Sequence, residues 1–436
     1  MNLKGSSLVT VAPAQRLRGH VRVPGDKSIS HRYAMLAALA TGTSTIVGYS
    51  TGADCQSTLS CLESLGVRID SSTNTETFGK TVVVHGAGLG SFQRTDPPID
   101  AGNSGTTMRL LAGILAGHPF DSVLTGDGSL QQRPMKRIIE PLQRMGALVE
   151  APGGHPPLTI HGAELSGIAY TTPVASAQVK SAILLAGLHA KGTTRVDEPT
   201  RTRDHSERAL KAFGAQLSIS GNSITVTGGT KLRPVNLAVP GDPSSAAFWL
   251  VAAAAVPGSD ITINDVSLNP TRLGYLNVLK RAGADIEVTR RSTSAGEPFG
   301  SIRARHRTLG RISVTSSDVP ALIDELPALG ALAVHGGAID VSGARELRHK
   351  ESDRITAFSR GLQNLGADVE ERTDGFRVTH NGPIPGGVAD ATGDHRLAMA
   401  FAIAALAGKN PSTITGASAV SVSYPDFFDV LESLRG

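Results

Sequence analysis

The stretch Pro24-Gly25-Asp26-Lys27-Ser28-Ile29-Ser30-His31-Arg32 decides how the rest of the chain is interpreted. Its Pro-Gly-Asp opening is typical of a turn, and either of its two serines can then cap a helix through residues 33–40. The charges oppose that helix, because a lysine, a histidine and an arginine crowd an N-terminal turn where the macrodipole is already positive. A bound anion removes the conflict, since free N–H groups and the dipole both attract one. A solvated basic turn is the alternative, and this stretch alone does not separate the two.

The same conflict recurs at three further predicted helix starts. Cations stand at or beside each of them: Arg133 with Lys136 and Arg137, Lys350 with Arg354, and Arg396. A single helix with cations at its N-terminus would be unremarkable. Four indicate that helix N-termini and basic side chains converge on a multiply anionic ligand.

Length and composition place the chain among globular proteins with two domains. It has 436 residues, 18% of them charged and 4% aromatic, and 49 glycines. A chain of this length exceeds one ordinary core. The net charge of +4 is mild and no basic stripe with aromatic residues is present, so a nucleic-acid binder is the weaker interpretation.

Cysteine usage and hydropathy indicate the compartment. The only cysteines, Cys55 and Cys61, lie six apart on one predicted helix, which gives no disulfide framework and favours a reducing compartment. Residues 1–7 lack the apolar core of a signal peptide, and the longest apolar runs, such as residues 249–256, are too short to span a membrane. We therefore expect a cytoplasmic protein with no membrane partner.

A repeated pattern predicts the fold class. At six places a helical run ends at a glycine, and in most of them a short strand follows; a glycine can adopt the left-handed conformation that ends a helix. These glycines are Gly66, Gly146, Gly214, Gly283, Gly366 and Gly436. Six similar units, three and three, predict an α/β protein of two like domains, although periodicity leaves open whether its sheets are parallel or mixed.

A motif at the start of the opening stretch recurs later in the chain and marks the domain boundary. Val23-Pro24-Gly25-Asp26-Lys27-Ser28 recurs as Val239-Pro240-Gly241-Asp242-Pro243-Ser244. We interpret these as the two crossings between domains. Residues 24–239 then form one domain, and residues 1–23 with 240–436 form the other.

Four further motifs each allow two interpretations. Asn103-Ser104-Gly105-Thr106 is a tight turn or a close approach of backbone to an anion, and Ser176-Ala177-Gln178 caps a helix or binds phosphate. Asp324, in Ile323-Asp324-Glu325, either stabilises a helix start, where acids are favourable, or acts in catalysis. Glu351, between Lys350 and Arg354, is an ion-pair partner or a proton-transfer group.

Taken together, these motifs resemble the 5-enolpyruvylshikimate-3-phosphate synthases, the 3-phosphoshikimate 1-carboxyvinyltransferases of aromatic amino acid biosynthesis. The matching motifs run from the opening stretch to Tyr424-Pro425-Asp426-Phe427 and include Asn103–Arg109, Gln132–Pro134, Lys350–Arg354 and Asp394–Arg396. The resemblance implies two domains of three repeats each, with helix N-termini facing an interdomain cleft.

The resemblance also implies roles for individual residues. Proton transfer falls to Asp324 as acceptor and Glu351 as a second carboxylate, and Lys27 is included among the catalytic groups. The matches to the shikimate 3-phosphate site are Lys27, Ser28, Arg32, Ser176, Ala177, Gln178, Arg203, Asp324 and Lys350. The matches to the phosphoenolpyruvate site are Lys27, Gly105, Arg133, Gln178, Arg354 and Arg396.

The implied reaction transfers the enolpyruvyl group of phosphoenolpyruvate to the 5-hydroxyl of shikimate 3-phosphate and releases phosphate. No metal or organic cofactor is expected, nor a nucleic-acid partner, and the enzyme is expected to be a monomer that glyphosate inhibits competitively. Ala177, Arg203 and Val422 resemble the glyphosate-tolerant branch, whereas Gly105 does not match the alanine of well-known tolerant members.

Two alternatives remain open at this stage. Enolpyruvyl transfer to UDP-N-acetylglucosamine shares the fold, but its usual reactive loop cysteine has no counterpart, since both cysteines lie in a predicted helix. A non-catalytic binder of phosphorylated metabolites would need no acids among the cations, yet Asp324 and Glu351 are present.

Overall fold

The computed structural model describes residues 7–73, 79–380 and 382–435. The predicted helix end at Gly436 and most of the N-terminal segment examined for a signal peptide lie outside these residues.

The chain divides into two compact units, each with its own core. Unit 1 comprises the described residues of Met1–Pro24, Pro240–Ser292 and Pro298–Gly436, and unit 2 comprises those of Gly25–Val239 and Thr293–Glu297. The sequence analysis assigned residues 293–297 to the other domain. They pack with unit 2 because the buried Glu297 carboxylate lies 2.7 Å from His205 Nδ1.

Twenty-three strands are present among the described residues. They are β1 Leu8–Val11, β2 Arg18–Arg22, β3 Thr41–Tyr49, β4 Arg68–Thr73, β5 Lys80–Ala87, β6 Ile99–Asp100, β7 Asp121–Thr125, β8 Leu148–Glu150, β9 Leu158–His161, β10 Ala169–Thr171, β11 Thr193–Asp197, β12 Leu217–Ser220, β13 Ser223–Thr227, β14 Leu237–Ala238, β15 Asp260–Ser267, β16 Asp285–Ser294, β17 Glu297–Arg305, β18 Ile312–Val314, β19 Gly337–Val341, β20 Asp368–Arg372, β21 Gly375–His380, β22 Val388–Asp390 and β23 Ser412–Thr415.

The strands form six small sheets of one recurring design. Unit 2 holds β14-β3-β5-β4, β6-β7-β9-β8 and β10-β11-β13-β12, and unit 1 holds β16-β17-β15-β2, β18-β19-β21-β20 and β1-β23-β22. Each contains one parallel pair, such as β6 with β7, next to antiparallel pairing, such as β7 with β9. The question that periodicity left open is therefore answered: the sheets are mixed. Three sheets in each unit also confirm the predicted α/β fold of two similar domains.

Thirteen α-helices connect the strands in the described part of the chain. They are α1 Lys27–Leu39, α2 Ala53–Ser64, α3 Gly105–Leu115, α4 Gly128–Gln131, α5 Lys136–Met145, α6 Ala177–Gly187, α7 His205–Ala212, α8 Pro243–Ala255, α9 Gly274–Arg281, α10 Leu326–Leu332, α11 Arg354–Asn364, α12 His395–Ala405 and α13 Phe427–Leu434. Shorter 3₁₀ segments lie at Pro152–Gly154, Pro270–Arg272, Val319–Ala321, Ile323–Glu325, Ala333–His335, Arg345–His349 and Ala417–Val422.

Each core is built around helices that are buried on nearly all sides. In α8 every residue from Pro243 to Ala255 is buried, and α12 is buried along its whole length. A helix without a polar face can lie only in a core. In unit 2 the corresponding central helices are α1, α3 and α6. The small alanines and glycines of these helices let neighbouring backbones approach, as where Gly113 of α3 faces the Ala182 backbone of α6.

Helix ends agree in part with the sequence analysis. Five glycines predicted to end helices have positive φ where they lie just beyond a helix, for example 87° at Gly66 and 93° at Gly366. The cap of α1 differs from the prediction: Asp26, and neither serine, accepts the Ile29 N–H at 3.0 Å. An ionised carboxylate is the better cap in a turn crowded with cations.

Candidate active site

Lys27 in unit 2 is held at the first position of α1. Its Nζ lies 2.8 Å from Asp54 Oδ2, and the lysine side chain is 17% exposed. The aspartate itself is almost fully buried at the start of α2. This contact fixes the direction of a cation that otherwise has a flexible four-carbon stem.

Arg32, one turn further along α1, is buried among hydroxyl groups. Its Nε donates to Ser206 Oγ at 2.7 Å and its Nη2 to Ser181 Oγ at 2.7 Å. Its Nη1 donates to the Ser28 carbonyl at 2.9 Å, which confirms that residues 28 and 32 share a helix face. Burial lowers the pKa of Arg32 to about 10, partly offset by the Glu207 charge. The guanidinium is therefore charged at neutral pH.

Gly105 begins α3 beside two guanidinium groups. A Cβ at this position would lie 2.8 Å from Arg109 Nη1 and 3.3 Å from Arg133 Nη1. Arg133 donates to the Asn103 side chain at 2.6 Å and to the Ser129 hydroxyl at 3.2 Å. The absent side chain therefore leaves the helix N-terminus open toward cations, which is the arrangement that suits a small anion.

The start of α6 contributes Gln178. Its Oε1 accepts from Arg109 Nη1 at 2.7 Å, and its Nε2 donates to Thr106 Oγ1 at 2.9 Å. Ser176 is the N-cap and accepts the Val179 N–H at 3.4 Å, so its capping role, one of the two interpretations, is observed. α3 and α6 pack against each other, which brings Gly105 and Gln178 into one cluster.

His31, on the same turn as Arg32, is a buried histidine that stays neutral. Its Nδ1 lies 2.6 Å from Thr58 Oγ1, which is 2.7 Å from Thr107 Oγ1. Burial, followed by the Lys27 and Arg32 charges, lowers the pKa of His31 well below its ordinary value. A neutral ring adds no further positive charge to an already basic turn.

This depressed pKa predicts a dependence of stability on pH. Because the folded-state pKa lies below the unfolded value of about 6.5, the stabilisation is complete above pH 6.5 and is lost as pH falls. One such group contributes a slope of about 1.4 kcal/mol per pH unit. The free energy of unfolding of the wild type should fall as pH is lowered from 7 to 5. We expect His31→Gln to make this fall less steep, by up to about 1.4 kcal/mol per pH unit, as measured by urea unfolding. Parallel profiles for the two proteins would contradict it.

Unit 1 holds two carboxylates interleaved with cations. Asp324 lies on the 3₁₀ segment Ile323–Glu325, ahead of α10. Its Oδ1 is 3.3 Å from Lys350 Nζ and 3.5 Å from Arg354 Nη1. Glu351 contacts Arg354 Nη2. One guanidinium therefore touches both predicted proton-transfer groups.

Arg354 is the first residue of α11 and is 1% exposed. Its Nε donates to Asp394 Oδ2 at 2.7 Å. Burial works against the charged form, but Asp394, Glu351 and Asp324 outweigh it and raise the pKa of Arg354. Arg396, at the start of α12, donates to the Asp324 carbonyl at 3.1 Å. All five predicted unit 1 residues are thus joined in one network: Asp324, Lys350, Glu351, Arg354 and Arg396.

The position of Arg133 differs from the sequence analysis. Arg133 does not open a helix, because α5 begins only at Lys136; it follows the short α4 and reaches back to Asn103. Arg203 lies between β11 and α7, where its charge acts on Arg32, and it is half-buried. Lys27, Gly105, Ser176, Arg354 and Arg396 lie at or next to a helix start, as the sequence predicted, and Arg32 lies one turn inside α1.

Sequence reasoning missed Ser129, which contacts Arg133, and four further groups that contact predicted residues. They are Asp54, Arg109, Ser181 and Ser206. Arg109 carried a signal, since it lies four residues after Gly105 and so shares its helix face. The other three are distant in sequence from the residues they contact, and no local pattern marks them.

Neither a metal centre nor a membrane span is found in residues 7–73, 79–380 and 382–435. No group of three or more His, Cys, Asp and Glu side chains in this part of the chain could hold a metal ion. No helix there combines the length and the apolar character that crossing a bilayer requires.

Comparison with known proteins assigns the chain to a family. The model of EPSP synthase (3-phosphoshikimate 1-carboxyvinyltransferase) matches residues 11–431. The chain belongs to the EPSP synthase family. A 3-phosphoshikimate 1-carboxyvinyltransferase of Synechococcus sp. (strain JA-3-3Ab) is 48% identical over 98% of this chain and 97% of the relative, and one of Bacillus subtilis (strain 168) is 45% identical over 96% and 98%.

Solved structures agree with this assignment. EPSP synthase from Acinetobacter baumannii has a TM-score of 0.86 at 42% identity, over 98% of both chains. The enolpyruvyl transferase NikO from Streptomyces tendae, at 18% identity and a TM-score of 0.79, shares the fold. The predicted enzyme class is thus confirmed: a transferase of the shikimate pathway, in aromatic amino acid biosynthesis. The alternative acceptor UDP-N-acetylglucosamine is less supported.

Proposed function

We propose that the clusters around Lys27 and Asp324 carry out one reaction, in which shikimate 3-phosphate takes up the enolpyruvyl group of phosphoenolpyruvate and phosphate is released. The observation that carries this proposal is the network of Asp324, Lys350, Glu351 and Arg354, in which two carboxylates lie among cations. A site that only bound anions would gain nothing from two acids, since they weaken its attraction for negative charge.

Each substrate is assigned to a different set of cationic side chains, according to its own carboxylate and phosphate groups. Arg32, fixed by three hydrogen bonds, pairs with the carboxylate of shikimate 3-phosphate. Ser176 and Gln178 supply the phosphate contact and the contact shared with phosphoenolpyruvate, and the rest of this site comprises Lys27, Ser28, Ala177, Arg203, Asp324 and Lys350. Arg133, Arg354 and Arg396 neutralise phosphoenolpyruvate, beside Gly105. Charge-assisted hydrogen bonds from guanidinium groups are the strongest that a protein offers to carboxylate and phosphate.

The proposed chemistry moves two protons. Asp324 accepts the proton of the 5-hydroxyl as its oxygen bonds to C2 of phosphoenolpyruvate, and Lys350 holds that hydroxyl. Glu351 transfers a proton to C3, which gives a tetrahedral intermediate. A C3 proton then returns to Glu351 as phosphate leaves with the proton that Asp324 had accepted, which restores the double bond and both carboxyl groups. Cationic side chains and helix N-termini offset the negative charge, so the reaction as written uses no metal or organic cofactor.

Release of inorganic phosphate tests the proposal. With shikimate 3-phosphate and phosphoenolpyruvate together we expect turnover that persists after exhaustive chelation of metals. Phosphate release with UDP-N-acetylglucosamine as the acceptor, and none with shikimate 3-phosphate, would contradict the proposal. The resemblance adds a monomeric state and a cytoplasmic location, of which sedimentation equilibrium tests the first.

Glyphosate, a compact anion, is proposed to compete with phosphoenolpyruvate beside Gly105. We expect Gly105→Ala to raise the inhibition constant for glyphosate by a larger factor than the KM for phosphoenolpyruvate. The reason is steric: the new methyl would lie 2.8 Å from Arg109 Nη1 and 3.3 Å from Arg133 Nη1, and the longer inhibitor loses more from the displaced guanidinium groups, because specificity is a difference between two affinities.

Measuring both constants for both proteins decides this prediction. Wild-type protein is expected to be inhibited, although Ala177, Arg203 and Val422 resemble the tolerant branch. Equal factors for inhibitor and substrate would mean that position 105 does not discriminate by size.

A further inference from the structure

A buried charge cluster in unit 2 takes no part in the proposed chemistry. It consists of Lys180, Glu198 and Glu207. Lys180 Nζ lies 2.9 Å from Glu198 Oε2 and 2.7 Å from Glu207 Oε1, and the three side chains are 0%, 1% and 4% exposed. The Thr202 hydroxyl also donates to Glu198. Burying three charges is costly, so their retention in a core calls for a reason.

The cluster lies directly beside the hydroxyl groups that hold Arg32. Ser181 follows Lys180 on α6, and Ser206 precedes Glu207 on α7. The two serine hydroxyls are 2.6 Å apart, and each lies 2.7 Å from a nitrogen of Arg32. Adjacent residues therefore join α6 to α7 twice, once by an ion pair and once by a pair of hydroxyls.

The charges of this region also balance. The cluster carries one positive and two negative charges, so it is a net anion next to the buried Arg32. Among the neighbouring groups, Glu207 is the strongest that favours the charged form of Arg32. The Glu207 carboxylate therefore interacts with two cations. It pairs directly with Lys180, which joins the two helices, and its charge also stabilises the charged form of Arg32.

We propose that Lys180, Glu198 and Glu207 are positioning residues that fix the direction of the Arg32 guanidinium and thereby set the affinity for the carboxylate of shikimate 3-phosphate. The inference rests on the proposed function, which gives Arg32 that ligand. It makes affinity for one substrate depend on a charge cluster that touches neither substrate.

A neutral replacement of the whole cluster tests the proposal. Lys180→Met/Glu198→Gln/Glu207→Gln leaves no lone buried charge, and such replacements of complete ion clusters are often tolerated. We expect a urea unfolding midpoint close to that of the wild type, with the KM for shikimate 3-phosphate raised about tenfold, as for the weakening of one hydrogen bond to a charged group. The KM for phosphoenolpyruvate and kcat should change by less than about threefold.

A matched control and a second variant keep the test decisive. Lys191→Met/Glu164→Gln removes a lysine–glutamate pair of the same unit whose side chains are 72% exposed, and should leave both KM values unchanged. If the triple variant does not fold, Glu207→Gln, which leaves Lys180 paired with Glu198, is measured in its place with the same expected split. Ser206→Ala removes one of the hydroxyl groups that accept from Arg32. It should likewise raise the KM for shikimate 3-phosphate more than the KM for phosphoenolpyruvate or kcat changes.

The outcomes separate this inference from the proposed function. Absence of wild-type turnover with shikimate 3-phosphate overturns the proposed function. Wild-type turnover together with an unchanged KM for shikimate 3-phosphate in the folded variant overturns the positioning role. Equal changes in both KM values and in kcat overturn it as well, since they indicate a general distortion.

Discussion

Asp324→Asn is expected to lower kcat by a factor on the order of 10² or more, with a smaller change in either KM, because a positioned acid or base contributes about that much to a proton transfer. Asparagine keeps the size of the side chain and can still accept from Lys350 and Arg354, which lie 3.3 and 3.5 Å from the carboxylate. It cannot take up a proton at neutral pH. The loss therefore falls on the chemical step.

Glu351→Gln is expected to behave in the same way. Glu370→Gln is the control, because it removes an exposed carboxylate of unit 1 that pairs with Arg372, and kcat should not change. Steady-state kinetics with each substrate varied in turn measures all three variants. Losses confined to KM would make Asp324 and Glu351 groups that position ligands.

Asp394→Ala is expected to lower the free energy of unfolding by about 3–5 kcal/mol, the cost of removing one partner from a buried ion pair. Arg354 is 1% exposed and Asp394 is fully buried, with 2.7 Å between Nε and Oδ2. Without this carboxylate a buried guanidinium loses the hydrogen-bond acceptor of its Nε, although Asp324 and Glu351 remain. The N-cap of α12 is lost as well.

Asp353→Ala provides the matched control, because Asp353 caps the neighbouring helix α11 and lies nearer the surface. Loss of a cap alone costs about 1 kcal/mol. Urea unfolding of both variants measures the difference. Equal losses would mean that Asp394 acts only as a cap.

The sequence predicted the helix starts well because the signals there are local. Lys27, Arg354 and Arg396 each oppose the dipole of the helix that they open, and all three lie at or next to a helix start in the structure. The glycine pattern predicted six similar units for the same reason, since a positive φ is a property of one residue. Three sheets in each unit followed from it.

The sequence could not predict what holds these side chains in place. Arg32 is fixed by Ser181 and Ser206, which are 149 and 174 residues away, and serine is too common for its position to signal a partner at that distance. The cap of α1 shows the limit at short range. Asp26, Ser28 and Ser30 are all acceptable caps, and only the structure distinguishes among them.

In the described part of the chain the first strand pairs with the last one. β1 pairs with β23, Leu8 opposite Thr415, and β2 pairs with β15, Arg18 opposite Asp260. At roughly 5–20 residues per second, synthesis of the roughly 400 residues between β1 and β23 takes some tens of seconds. During that time residues 25–239 can collapse on their own core, while β1, which is made before them, has an unpaired strand edge. β1 is thus synthesised long before the strand that completes its sheet.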